Sequence, residues 1–532
     1  MNRLASFLFL IILLLGAFLR FYKLDSIPPS LNWDETAAAY NAYTIKNWAK
    51  DEWGKTLPLV FTSFRDDKRP IHIYITSMFF NLFGATDFSA RFPSALIGFL
   101  MIPLFFLFGK LYFGSDLAGL FSAFAIAFSS YDIHYSRGLW EAHFALFFFV
   151  LGLVLFRAGL TRKGREALVP LAYFSFGLSL FSYHSALVVV PPMVFILTLF
   201  FLKDLLKILN SFSFGMFIFI FFISLLFFEP RLLGIARINQ NKLPKETVEK
   251  TYIFQKTGNH LLGQLEIMIP KYKDYFSYQY LFEEGNKSPR ASMNYGGKFS
   301  KTVFFLAIIG LIFLIAKGNF KIFLLILFWF LLAPLPAVFS SGEPHATRAI
   351  FMLGPPQILA GFGFFKIWQF LRASSLRFVL VLLILVFFAK DRALQILNYF
   401  DRYDKDYPIE WQYGMKHVVD IVRDSKYKKV YVDIVRQQPY IFFLWYNKVP
   451  LPEFLSTVKY DYSSSSSFNT VFSFDKYQFG GWDWVESAPL DNVAYVVEPY
   501  KYTGLRRRTD FLNVNLVKYP SGAEAFYVVS VY

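Results

Sequence analysis

Apolar stretches of about 16 to 22 residues recur along the first 400 positions, each the length of a helix that crosses a bilayer. The chain has 532 residues, 55% of them hydrophobic and 68 of them Phe, and a mean hydropathy of +0.40. A soluble globule cannot bury that much apolar surface. A membrane β-barrel would show short alternating segments instead. The pattern therefore predicts a polytopic α-helical membrane protein.

Basic residues set the orientation. Arg3 precedes the first apolar run, no Ala-x-Ala-like cleavage site lies before Arg20, and the run reads as an uncleaved first span at about 5–22. Further spans are expected near 92–109, 116–130, 142–158, 168–183, 185–202, 209–228, 302–316, 320–339, 350–371 and 376–396, about eleven in all. The stretch Ile71 to Phe83 is short and interrupted by His72, Thr76, Ser77 and Asn81, so it is assigned to the interface. With that choice the basic links Arg157 to Arg165, Lys203 to Lys207, Lys317 to Lys321 and Lys366 to Arg377 all fall on the cytoplasmic side. The loops 23–91 and 229–301, the stretch Tyr131 to Glu141, the tip Tyr183-His184-Ser185 and the segment Ser341 to Arg348 fall outside.

The net charge of +16 is thus the positive-inside pattern, with contacts to anionic membrane lipids, and not a nucleic-acid footprint. The chain has no Cys, which excludes disulfides, thiol catalysis and Cys-based zinc sites. From about 399 the composition shifts to charged residues, turns and short β-branched runs. Strands are expected at Lys429–Val435, Tyr440–Tyr446, Asn492–Val497 and Glu524–Val529, after a helix at about 409–424. The chain divides on this reading into a membrane domain, 1–398, and a small extracytoplasmic α/β domain, 399–532. Ser463 to Ser467 reads as a loop, and Arg506 to Arg508 as a solvated surface run.

The outward segments collect the unusual polar residues. Acids stand at Asp34, Glu35, Asp132 and Glu141; cations or potential cations stand at Lys68, Arg69, His72, Arg137, His184, Arg290, His345 and Arg348. Ionisable groups at a membrane surface are costly and mark function. A carboxylate can take the proton of an attacking hydroxyl, and Arg or Lys can hold a departing phosphate. Asp34 could equally cap the helix expected to start near Thr36. Asp132 reads as a helix-end or turn residue. No cluster has metal-ligand spacing of the helical His-x-x-x-His kind, and His345 with Glu343 is too generic to name a metal, so no cofactor is assigned and a divalent cation stays open. There is no P-loop and no dinucleotide fingerprint.

An ordered series of segments resembles a known family. It runs through Trp33-Asp34-Glu35, Lys68-Arg69-Pro70, Leu82-Phe83-Gly84, Ser89 to Ser94, Tyr135-Ser136-Arg137 with Glu141, Tyr183-His184-Ser185, Leu281 to Arg290, and Pro344 to Arg348. The chain resembles the bacterial branch of the protein O-mannosyltransferase and aminoarabinose-transferase superfamily, glycosyltransferase family 39 of the GT-C fold, over most of its length. The resemblance implies that Asp34 is the catalytic carboxylate and that the segments between the first two spans are juxtamembrane helices. It makes Glu141 the nearest counterpart of a second acid, which in the protein mannosyltransferases stands one residue further on, where this chain has Ala142. Lys68-Arg69-Pro70 stands where the family often has Lys-Pro-Pro.

Together these readings predict a plasma-membrane glycosyltransferase working on the extracytoplasmic side. The donor is a polyprenyl-phosphate monosaccharide (hexosyl or pentosyl), and the acceptor is a glycan, lipid or protein hydroxyl attacked with inversion. The predicted catalytic group is Asp34, Glu35 and Glu141; the predicted donor-phosphate and substrate ligands are Lys68, Arg69, Arg137, His184, Arg290, His345 and Arg348. The alternatives are a flippase of lipid-linked sugars, which should carry internal repeats and mid-membrane charges, and a non-catalytic membrane scaffold.

Overall fold

The computed structural model describes residues 3–64, 66–161, 164–234, 243–339, 344–371, 373–423, 426–433, 439–461, 471–481, 492–505 and 513–530. Glu343, Ile434 and Val435, the Ser463 to Ser467 run and Arg506 to Arg508 lie outside them. The chain folds as two compact units, one of residues 1–22 with 94–399, the other of residues 23–93 with 400–532.

In the first unit each expected span is a helix: Arg3–Phe21, Asp87–Phe113 (which starts in the second unit), Asp116–Ala127, Glu141–Thr161, Leu168–Leu180, Ala186–Leu205, Leu209–Phe228, Lys301–Ala316, Phe320–Leu332, Pro355–Phe370 and Ser374–Asp401. By length and apolarity alone, six segments of the described residues can each cross a membrane, among them Asp87–Phe113 and the pair joined over Ala186–Phe228. Glycines bring some of these helices to backbone contact. A Cβ on Gly310 would lie 2.2 Å from the Leu359 carbonyl oxygen, and one on Gly363 would lie 2.0 Å from that of Leu306. Helices in lipid gain their attraction from such close packing, since burying apolar side chains there wins little.

One departure matters for the site. Tyr131 to Ser136 lie not in an open loop but in a short helix, Ser130–Ser136, started by the Ser129 side chain accepting from the Asp132 N–H. Glu141 is the first residue of the helix Glu141–Thr161, in line with the span expected from about 142.

The second unit joins two distant parts of the chain. Helix Trp33–Trp48, the hairpin of strands β1 (Phe61–Ser63) and β2 (Asp66–Lys68), and helix Ile71–Phe83 come from the first hundred residues. Ile71–Phe83 has 13 residues and so rises only about 20 Å, short of a ~30 Å hydrocarbon core. The later part supplies a mixed sheet of β3 (Lys429–Asp433), β4 (Lys459–Tyr460), β5 (Val471–Phe474), β6 (Tyr477–Gly480), β7 (Val493–Val497), β8 (Asn513–Lys518) and β9 (Glu524–Ser530), in the order β4-β5-β6-β3-β7-β9-β8. β3 pairs in parallel with β6 and β7; the other pairings are antiparallel.

Tyr440 to Tyr446 is a correction: it forms the helix Tyr440–Asn447, not a strand. The run is apolar at every position and every residue from Tyr440 to Tyr446 is buried, so it lacks the alternation that separates a half-covered strand from a covered helix. The helix expected at about 409–424 is shorter, Met415–Val422, because Gln412 and Gly414 take positive φ (47° and 100°) and break it from the turn Ile409–Trp411.

The two parts of this unit interlock. The Tyr40 hydroxyl donates to the Val449 carbonyl at 3.1 Å, the Trp33 N–H donates to Gln412 Oε1 at 3.2 Å, and the Trp445 indole donates to Asp87 Oδ1 at 2.8 Å.

Candidate active site

Helix Trp33–Trp48 is capped by Asn32, not by Asp34. The Asn32 side chain accepts from the N–H groups of Asp34 and Glu35, and the Glu35 carboxylate returns to the Asn32 N–H at 3.0 Å, a complete capping box. Glu35 is only 1% exposed. Its second partner is Arg91, whose Nε and Nη2 each donate to it at 3.0 Å. Arg91 also donates to the carbonyls of Leu24 (3.2 Å), Pro28 (2.7 Å) and Ser30 (2.5 Å). One buried guanidinium thus pins the loop that leads into the helix.

With Glu35 committed inward, Asp34 points elsewhere. Its side chain is 39% exposed, and Oδ1 lies 2.5 Å from Nζ of Lys68. The β1–β2 hairpin delivers that lysine, with Lys68 opposite Phe61 in register, and Arg69 follows, buried in the turn before helix Ile71–Phe83. A carboxylate in the first turn of a helix also meets the positive end of the peptide dipoles.

The first unit holds the other candidates, and the short helix Ser130–Ser136 organises most of them. Tyr131 Oη donates to the Ala346 carbonyl at 2.5 Å, and Tyr135 Oη is 2.7 Å from the Thr347 hydroxyl. Tyr275 Oη accepts the His345 N–H at 2.8 Å, and Ser185 Oγ donates to the Arg348 carbonyl at 2.7 Å. Four side chains thus hold four consecutive residues, 345 to 348. The same short helix reaches Arg290: His134 Nε2 bonds the Arg290 carbonyl at 2.8 Å. His184 precedes helix Ala186–Leu205, beside Ser185, which touches this loop.

Arg137 ends the short helix, fully buried. Its guanidinium donates to the carbonyls of Leu19 (3.0 Å), Arg20 (3.1 Å) and Tyr22 (2.7 Å), capping the end of the first helix. Asp132 is buried between Arg20, with which it forms an ion pair, and His143 Nε2 at 3.0 Å. Among the described residues no group of three or more His, Asp or Glu could hold a metal ion.

Four buried residues of these separate sets, Arg91, Lys298, Tyr131 and Tyr135, are not among the candidates read from the sequence. Arg91 had a signal, a lone cation at the mouth of an apolar run, which demands partners. Lys298 did not. It is buried, with Nζ donating to the Ala291 carbonyl at 2.5 Å and lying 4.9 Å from the Tyr131 ring centre. Burial holds its pKa well below the usual lysine value. Tyr131 and Tyr135 act through spacing: four residues apart on one helical turn, they face one way.

Residues 67–232 match the family described as dolichyl-phosphate-mannose-protein mannosyltransferase. No curated protein matches the sequence. Among solved structures, the fold is similar to that of ArnT from Cupriavidus metallidurans in the apo state (TM-score 0.55, 14% identity, 99% of this chain and 98% of that one). It is also similar to the same protein bound to undecaprenyl phosphate (TM-score 0.54, 14% identity, 99% and 98%). The apo oligosaccharyltransferase of Archaeoglobus fulgidus gives a TM-score of 0.55 at 14% identity, over 98% of this chain and 74% of that one.

Proposed function

We infer the reaction from the likenesses: residues 67–232 match the dolichyl-phosphate-mannose-protein mannosyltransferase family and the fold is similar to that of ArnT, which supports reading the chain as a GT-C membrane glycosyltransferase of family 39. The long apolar helices of the first unit support a multi-span membrane enzyme. The proposal is that it moves a monosaccharide from a polyprenyl phosphate to an acceptor hydroxyl on the extracytoplasmic side of the plasma membrane, by single displacement. The solved relative that holds undecaprenyl phosphate supports the choice of lipid carrier.

The observation that carries the reading is the Asp34–Lys68 pair at 2.5 Å beside a Glu35 that is locked inward. In the proposed step Asp34 takes the proton of the acceptor hydroxyl while that oxygen attacks the anomeric carbon. The carbon–oxygen bond to the lipid phosphate breaks with inversion, and the phosphate leaves with the bonding pair. Lys68 neutralises the leaving phosphate close to the base, so the two charges made in the step are met by groups already in place. Arg348, His345 and Arg290 are proposed as further phosphate or substrate contacts, supported by the hold on their backbone: Ser185 bonds the Arg348 carbonyl, Tyr275 the His345 N–H and His134 the Arg290 carbonyl. Glu35 and Arg137 are proposed to act by positioning.

The test is sugar transfer by membranes carrying wild type or Asp34→Asn, across a panel of polyprenyl-phosphate donors. Loss of a general base typically costs about 10²–10⁴ in rate. Transfer at the wild-type rate in the variant overturns the assignment.

A further inference from the structure

The first unit contains a cavity of about 420 Å³ that the proposed chemistry does not use. It is formed by the end of helix His260–Asp274, the turn that follows, and Pro344. Its size lies within the roughly 300–1,000 Å³ of small-ligand sites. We propose that this cavity is a carbohydrate-binding subsite, which takes a pyranose ring of the acceptor.

Its lining chemistry argues against other ligands. Two carboxylates, Asp274 and Glu284, balance two ammonium groups, Lys271 and Lys287, and Ser277 and Gln279 add a hydroxyl and an amide. A lining close to neutral that mixes charged and polar groups with apolar and aromatic surface suits neither a phosphate alone nor a bare hydrocarbon chain. A ligand that offers many hydroxyls, each both donor and acceptor, satisfies both kinds of partner at once.

Tyr280 adds an aromatic part to the lining. It lines the cavity, is 4% exposed, and its hydroxyl meets no hydrogen-bond partner among the described residues. That hydroxyl is closed off, so it is the ring that Tyr280 presents to the cavity. Tyr280 packs edge-on against Tyr275, with ring centres 5.2 Å apart, and the pair gives the cavity an aromatic wall. Tyr275 also holds the His345 N–H, so an occupant would touch the residue that fixes the start of the 345–348 loop. Assigning the occupant to the acceptor rests on the glycosyl transfer proposed above; the binding itself does not.

The experiment is saturation-transfer NMR on the full chain in lipid nanodiscs, with methyl pyranosides of mannose, glucose and galactose as probes. The expected result is saturable binding of at least one probe, equal in wild type and Asp34→Asn. Binding should fall at least fivefold in Glu284→Gln or in Lys287→Gln, each a change at an exposed lining position that leaves the core untouched. No saturable binding, binding that both variants leave unchanged, or binding of inorganic phosphate without any pyranoside overturns it. Should Asp34→Asn keep full transfer while the cavity still binds sugar, the catalytic assignment fails and the subsite stands.

Discussion

Glu35 and Arg91 are joined by two hydrogen bonds of 3.0 Å, and both are almost wholly buried. The pair divides the labour of two adjacent carboxylates, because the acid one residue earlier is left facing Lys68. Removing one member of a buried ion pair strands the other and costs about 3–5 kcal/mol. Arg91→Met should therefore lower the melting temperature of the purified protein by several degrees, with Asp34→Asn close to wild type. A thermal melt of the three proteins in one lipid environment checks this; equal melting temperatures would refute it.

Lys68 is expected to act on donor more than on acceptor. A hydrogen bond to a charged group is worth about 1.5–3 kcal/mol, so Lys68→Ala should cut kcat/KM for the lipid donor by roughly tenfold or more. Lys68→Arg should recover part of it. Steady-state kinetics with donor varied at fixed acceptor measures both.

Glu52 gives a pH dependence. Burial raises its carboxyl from 4.5 to about 7, Asp51 adds to the rise, and hydrogen bonds with Ser63 and Asn41 oppose it. A carboxyl raised on folding stabilises most below about 4.5, and that share is lost as the pH climbs through 7, about 3 kcal/mol in full. Wild type should thus lose stability between pH 5 and 8.5 relative to Glu52→Gln, whose side chain can still accept from the Ser63 hydroxyl. Parallel melting curves across that range would contradict the assignment.

The mounting of the 345–348 loop can be tested without chemistry. In Tyr131→Phe with Tyr135→Phe, two of the hydrogen bonds that hold it are gone, each worth about 1 kcal/mol. Amide exchange at Ala346 to Arg348 should quicken by roughly thirtyfold while the rest of the unit keeps its protection. Unchanged exchange would show that the tyrosines do not hold the loop.

What the sequence disclosed follows from what each signal requires. Spans depend on length and apolarity, both local, and every expected one is a helix. Ser130–Ser136 is too short for a period to show, so the helix that carries two loops passed as a loop itself. Tyr440–Asn447 is apolar at nearly every position, which suits a covered strand and a covered helix alike. Asp34 was legible as an acid beside a membrane span. Its separation from Glu35 was not, because that depends on Arg91, more than fifty positions later.

The second unit is assembled from both ends of the chain: Tyr40 rests on Val449, and Trp33 on Gln412. A ribosome releases the later half of these pairs only after every membrane helix has been made. The segment carrying Asp34 must therefore wait through nearly the whole of synthesis before its permanent cover arrives. Nascent chains halted before position 400 would keep Lys68 and Arg91 on this segment but lack the later cover at Tyr40 and Trp33.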